Sequence, residues 1–147
     1  MSDHRAVTPA EQSLYEAARK AQARAYVPAS RFAVGAAVSM HGEVVTGANF
    51  ENDSYGLTIC AERAAIAVAV AHGLVRAAIA AGADERDPRC LNAIAIHADA
   101  LTVSPCGACR QVIGQFAAPG ARVIYPRDGE LTSVSFGDLL PDKFRLQ

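Results

Sequence analysis

The sequence has little that would mark a macromolecular partner. Aromatic residues make up 6% of its 147 positions, and the formal net charge is -1 with no block of lysine or arginine. A protein that grips nucleic acid needs a basic stripe for the phosphates, or aromatics on which bases stack, so no nucleic-acid partner is expected. Small uncharged substrates suit this balance. Met1-Ser2-Asp3-His4-Arg5 lacks the apolar core and cleavage site of a secretory signal. The longest alanine-rich run, Ala64 to Ala81, is broken by His72, Gly73 and Arg76, so it reads as buried helix and no membrane contact is expected. Repeats, low-complexity tracts and linkers are missing as well, which leaves one domain over residues 1–147, with residues 1–7 expected to fray. Cysteine is sparse at four. Without a leader, this points to reduced thiols in the cytoplasm, where metal binding or catalysis outranks disulfides.

What is present is ordinary globular composition, with 51% hydrophobic and 20% charged residues. A chain of this length buries roughly two-thirds of its unfolded surface and needs no metal merely to fold. Thr8-Pro9-Ala10-Glu11 combines an N-cap, a first-turn proline and a capping-box glutamate. Leu14, Ala17, Ala18, Ala21 and Ala25 follow at helical spacing, and Pro28 ends that helix. Arg31 to Met40 and Glu43 to Gly47, either side of His41-Gly42, predict a hairpin whose first strand is buried on both faces. A polar loop, Asn49 to Gly56, leads to Thr58 as N-cap and to a helix from about Cys60 to His72, stopped by Gly73. A short helix over Leu74 to Gly82, an exposed loop at Asp84 to Arg89 and a strand at Ala93 to Ile96 come next. Cys106 to Phe116 reads as helix, Pro119-Gly120 as a turn and Arg122 to Tyr125 as a strand. Arg127-Asp128-Gly129 is a turn before an edge strand near Leu131–Val134, and Ser135 to Asp138 caps a last helix ending at Pro141. This order predicts an α/β fold, a three-layer α/β/α sandwich around a mixed five-stranded sheet.

The chemistry lies in Thr58-Ile59-Cys60-Ala61-Glu62-Arg63 and Ser104-Pro105-Cys106-Gly107-Ala108-Cys109-Arg110-Gln111. Three thiols and one carboxylate match a catalytic zinc site with a coordination position left for water. In mid-helix, residues i and i+2 lie about 200° apart, so Cys60 and Glu62 can share a site only at a helix tip. Cys106 and Cys109 likewise open a helix behind Pro105. Two positive helix ends then converge on a centre carrying a net charge of about -1, which they stabilise while favouring thiolate over thiol. Arg63, three positions beyond Cys60, faces the same way and can hydrogen-bond the sulfurs, tuning the charge of the zinc. Taken singly, each residue has a plainer reading: a buried cysteine is a small core residue, Glu62 a first-turn carboxylate, Arg63 a surface charge. A redox Cys106–Cys109 pair is a further alternative, but it leaves Cys60 and Glu62 unexplained.

These two segments resemble the cytidine deaminases, in particular the small, three-cysteine, homotetrameric type. The resemblance runs from about Ala25 to Phe144 and includes Arg31-Phe32-Ala33-Val34-Gly35-Ala36-Ala37 and the block Asn49 to Thr58, which are more specific than the thiol spacing. It implies one Zn²⁺ per subunit held by Cys60, Cys106 and Cys109, with Glu62 as the catalytic acid and base. It implies hydrolytic deamination of cytidine or deoxycytidine to the uridine product plus ammonia, in pyrimidine salvage. The backbone around Ala61 is expected at the base and Asn49 and Glu51 at a ribose hydroxyl. Phe32 is expected to pack on the nucleoside, with Tyr55 and Phe144 contributed across a subunit boundary.

Two departures from the family pattern stand out. The aromatic usual between Pro28 and Ser30 is Ala29, and the segment Ala77 to Leu91 is long, as though a helix and charged loop were inserted. Either can change subunit packing or the nucleoside accepted, which keeps open a deaminase of a modified cytosine nucleoside such as blasticidin S. A rival of another class is a non-catalytic structural zinc protein with Cys90 as fourth ligand. A third is an inactive homologue that only assembles or binds nucleosides. Apart from that rival, Cys90 is read as structural. The four histidines form no metal pattern, and His4 and His41 are expected to be exposed.

Overall fold

Thr8 opens the first helix by a reciprocal cap. In the computed structural model, which describes residues 3–146, its hydroxyl accepts from the Glu11 N–H at 3.2 Å. The Glu11 carboxylate in turn accepts from the Thr8 N–H at 2.9 Å, and such a cap contributes ~1 kcal/mol. Helix α1, Pro9–Ala21, buries Leu14, Ala18 and Ala21. The alanine spacing out to Ala25 overstates its length. A 3-10 turn over Gln22–Arg24 follows, because the chain must swing Tyr26 beside Asn49, where its N–H donates to the Asn49 carbonyl at 3.0 Å.

Strands β1, Val34–Met40, and β2, Glu43–Ala48, form the expected hairpin. His41 at φ 47° and Gly42 at φ 79° supply the left-handed pair that a two-residue turn requires. Helix α2, Ala61–Ala71, ends at Gly73 (φ 79°), which also starts α3, Leu74–Ala80, at a bend of 53°. No single helix among the described residues is long and apolar enough to cross a membrane. Strand β3 is Leu91–Ala98, helix α4 Gly107–Phe116, β4 Ala117–Arg127, β5 Glu130–Ser135 and α5 Phe136–Leu139.

The sheet order is β2-β1-β3-β4-β5, with β3 and β4 parallel and all other pairs antiparallel. Alternation along β1 sends Ala37 to one face, where it meets Ala95, Ile124 and the Leu14–Ala18 stripe of α1. Val34, Ala36 and Val38 point to the other, against Ala61, Ala65 and Ala69 of α2 and Ile113 of α4. Full burial of each Val, Ile or Leu contributes about 1.5–3 kcal/mol, so these two layers of contacts hold the sandwich shut. The result is the expected α/β/α arrangement, with α1 alone on one face and α2, α3 and α4 on the other.

Several local expectations are corrected. Residues 3–7 do not fray: Arg5 exchanges backbone hydrogen bonds with Ser133 at 2.9 Å each way, and its guanidinium pairs with Glu11 at 2.8 Å. Met1 and Ser2 lie outside the described residues. Pro119-Gly120 is not a free turn but the irregular part of β4, where the pairing to β3 jumps from Leu91–Ala117 to Ala93–Arg122. The last helix stops at Leu139, before Pro141. His41 is exposed as expected, whereas His4 is half-buried against Arg127.

Candidate active site

The site grows from the pairing of Phe50 with Ile59, whose backbones exchange hydrogen bonds of 3.0 and 3.1 Å. That antiparallel bridge sets Asn49 beside Cys60 and brings the Asn49–Glu51 strand to the mouth of α2. Thr58 does not cap this helix. Its hydroxyl donates back to the Tyr55 carbonyl at 2.7 Å, and Cys60 takes the N-cap position with extended backbone. Cys106 is the N-cap of α4 in nearly the same conformation. Neither thiol makes a capping hydrogen bond, so both are left to face the space between the helix tips.

Cys109, one turn into α4, completes the group: the three sulfurs all lie within 4.8 Å of one another, and Cys60 and Cys106 are 3.9 Å apart. Zinc held tetrahedrally at the usual Zn–S distance needs sulfurs about 3.8 Å apart. The donor set therefore fits zinc closely and is far too open for a disulfide. Cys109 is buried, Cys60 half-buried and Cys106 exposed, so the cluster is reachable from one side.

Three adjacent thiols cannot all ionise without a cation. A hydrogen bond from Cys109, backed by the Arg63 guanidinium, draws the Cys60 thiol down to about 5 against the effect of burial. Cys109 is correspondingly pushed up, by its bond to Cys60 and by burial. Arg63 Nη2 donates to Cys60 Sγ at 3.4 Å, while its Nε is buried with no partner among the described residues. Glu62 is 5% exposed. Burial lifts its carboxyl to about 6, and the Cys60 charge adds to the rise against its own backbone N–H. A carboxyl poised there can both take and give a proton near neutral pH.

Asn49 and Glu51 are already engaged. Asn49 Oδ1 accepts from the Val34 N–H and its Nδ2 donates to the Phe32 carbonyl, each at 2.8 Å, clamping the start of β1. The buried Glu51 carboxylate accepts from the N–H groups of Ala29 (3.0 Å) and Ser30 (3.1 Å) and from the Ser30 hydroxyl. These bonds overcome burial and hold it below the usual carboxylate range. Ala61, fully buried, begins α2 with its peptide at the helix tip. Phe32 precedes β1 and is 44% exposed, Tyr55 sits in a 3-10 turn at 56%, and Phe144 lies in the tail at 71%.

Two contributors were not assigned from the sequence. Ser30 joins Glu51 to the Phe32 N–H, which donates to its hydroxyl at 3.0 Å. Arg110 donates to the carbonyls of Pro105 (2.8 Å) and Leu139 (3.0 Å), tying the turn before Cys106 to the end of α5. Only its place four residues beyond Cys106, one turn along the same helix, could have hinted at that.

The family model for the cytidine and deoxycytidylate deaminase zinc-binding region matches residues 8–125. The chain belongs to this deaminase family. A cytidine deaminase of Halalkalibacterium halodurans is 42% identical over 136 residues, 90% of this chain and 92% of its own length. One of Sporosarcina psychrophila is 38% identical over 137 residues, 90% of each chain. The crystal structure of cytidine deaminase from Burkholderia pseudomallei has a TM-score of 0.71 and 40% identity, over 94% of this chain and 100% of that one. As a deaminase of this family the protein is a zinc-dependent hydrolase, with Cys60, Cys106 and Cys109 positioned to bind the metal. A closed site completed by Cys90 is overturned, because Cys90 is outside the cluster, buried in the core beside Leu91 at the start of β3.

Proposed function

We propose that this deaminase hydrolyses cytidine or deoxycytidine to uridine or deoxyuridine and ammonia. The observation that carries the reading is the buried Glu62, poised near pH 6 beside three thiols at two helix tips. Zinc, when bound there, lowers the pKa of water and so supplies a nucleophile at neutral pH. Glu62 would take one proton from the attacking water and pass it to N3 of the cytosine ring, then take the proton left on the oxygen added at C4 and pass it to the amine, which departs as ammonia. Arg63 offsets the thiolate charge, and the peptide at Ala61 aligns the base. Asn49 and Glu51 hydrogen-bond a ribose hydroxyl, one as donor and acceptor and the other as acceptor alone. Phe32 packs on the nucleoside.

The working enzyme on this reading is a homotetramer in which Tyr55 and Phe144 cross to a neighbouring subunit. Their exposure, with that of Phe50 and Leu57 on the Tyr55 loop and of Tyr26 bridged to Phe50, supports a second copy as cover for this apolar surface. A reducing cytoplasm keeps the thiols available to zinc, and pyrimidine salvage is the role such a reaction serves.

The runner-up reading, a modified cytosine nucleoside, rests on Ala29 standing where the family has an aromatic; the cleft of about 490 Å³ that Ala29 lines with Tyr26, Pro28, Glu51 and Tyr55 includes neither Glu62 nor a zinc ligand. Ammonia release from a nucleoside panel decides between them, and the mass of the native assembly tests the tetramer. Glu62→Gln should fold and hold zinc while losing at least about 10²-fold in turnover, the usual contribution of a positioned acid and base. An unchanged rate removes Glu62 from the mechanism.

A further inference from the structure

The long segment between α3 and β3 ends on the C-terminal tail. Asp84 Oδ1 accepts from the N–H groups of Arg86 (2.8 Å) and Asp87 (3.0 Å), which fixes the loop and aims Asp87. The Asp87 carboxylate accepts from Arg89 Nε at 2.8 Å and meets Arg145 Nη1 at 3.2 Å. Both loop and tail rest on one face of α4, whose residues Gln111, Gly114 and Gln115 stand three and four apart. Gln115 donates to the Arg86 carbonyl and Gln111 to the Phe144 carbonyl, each at 3.1 Å. The Lys143 ammonium donates to the Gly114 carbonyl, and its stem lies so close that a Cβ at position 114 would be 3.1 Å from Lys143 Cδ. Lys143 is thus turned inward and Arg145 lies along the surface to reach Asp87, while Phe144 and Leu146 are exposed.

We propose that Asp87 is a positioning residue: by holding Arg145 it fixes the tail so that Phe144 faces outward, and thereby sets the affinity for nucleoside. Lys143 anchors the tail before Phe144, and the Phe144 carbonyl is held by Gln111. Without a contact after it, the chain still rotates beyond residue 144. Arg145 on Asp87 closes that freedom, so Phe144 is bracketed on both sides. The consequence for the reaction rests on Phe144 serving a neighbouring subunit's pocket, as proposed above; the anchoring of the tail does not.

The test uses the zinc-loaded protein and the variants Asp87→Ala, Asp87→Glu, Phe144→Ala and Asp87→Ala with Phe144→Ala. Trypsin cleavage after Lys143 and Arg145, followed by intact mass with no substrate present, reads the anchor alone. Asp87→Ala should speed it by about fivefold, the upper range for a partly exposed ion pair, with the unfolding midpoint unmoved. KM for cytidine should rise while kcat and zinc content stay at wild-type values, Asp87→Glu should restore much of the loss, and the double variant should match Phe144→Ala alone. An unchanged cleavage rate overturns the anchor. Faster cleavage with unchanged KM, or additive losses in the double variant, overturns the link from Asp87 through Phe144 to the site. A wild-type protein that binds zinc yet releases no ammonia refutes the deaminase reading instead, and the trypsin result still decides the anchor.

Discussion

Gly47 lets two backbones touch, and replacing it should damage the site from a distance. It lies in β2 under the fully buried Ala61 and Ala65 of α2. A Cβ at position 47 would stand 2.8 Å from Ala65 Cα and 2.9 Å from the Ala61 carbonyl oxygen, and closer still to Ala65 N. All of these are backbone atoms, so no side chain can rotate away. Restoring ordinary contact requires α2 to move on the order of 1 Å, an overpacking that costs about 1–3 kcal/mol. For a domain of this size each kcal/mol lowers Tm by about 2–4 °C. The same movement carries Cys60 and Glu62, and misplacing reacting groups by about 1 Å can cost ~10²-fold in rate. Gly35 is the control, because a Cβ there would strike Ala18 and Gln22 of the opposite layer, 2.5 Å from Gln22 N. Gly35→Ala should lose stability comparably, but its zinc-loaded molecules should turn over near the wild-type rate. Thermal unfolding, zinc per folded chain and kcat per zinc distinguish the two. Equal losses of kcat per zinc in both variants would refute the assignment of α1 to scaffold and α2 to catalysis.

Asn49→Ala strips the Val34 N–H and the Phe32 carbonyl of their partner and should cost about 1–3 kcal/mol in chemical denaturation, with a raised KM. Glu11 is held below its ordinary value, burial being outweighed by Arg5, the Thr8 N–H and Ser133. A depressed carboxylate stabilises the fold above its unfolded pKa near 4.5, and that stability is lost as pH falls through the folded value. The wild type should therefore weaken on acidification below that point more steeply than Glu11→Gln, as read by urea midpoints across pH. Removing zinc with a chelator should leave the far-UV spectrum intact, because the core does not depend on the metal. It should lower Tm, since free zinc at about 1,000 times its Kd stabilises by ~4 kcal/mol.

What was legible in the sequence is what short-range chemistry controls. The Thr8–Glu11 box, the His41-Gly42 turn and the Gly73 stop each depend on residues within a few positions, and each stands where it was read. The two helix tips were legible for another reason: Cys60 and Glu62 cannot face one site anywhere else on a helix. Thr58 misled because hydroxyls outrank thiols as N-caps in general, whereas here a sulfur occupies the cap to face the metal. Pro119-Gly120 carries true turn chemistry, with Gly120 at φ 76°, but the sheet absorbs it as an irregularity in β4. The Arg5–Ser133 bridge and the Glu51 contacts with Ala29 and Ser30 join residues far apart in the chain, and nothing local announces them.

Those Glu51 contacts bear on why residues proposed to bind a sugar first look like scaffold. An ionised carboxylate offers about four acceptor sites, and an amide offers two donors and two acceptors. The Ala29 N–H, the Ser30 N–H and the Ser30 hydroxyl put two contacts on each oxygen of Glu51, whereas Asn49 has used one donor and one acceptor. Both side chains are thus locked in place, and Asn49 keeps a donor and an acceptor free for the sugar proposed to bind there. Such preorganisation lowers the entropy lost on binding. It also explains how Ala29 can replace an aromatic at the pocket mouth without loosening the sugar subsite. Position 29 serves Glu51 through its backbone N–H, which every residue except proline supplies. Its side chain lines the cleft beyond, so a change of side chain there leaves the backbone contact to Glu51 intact.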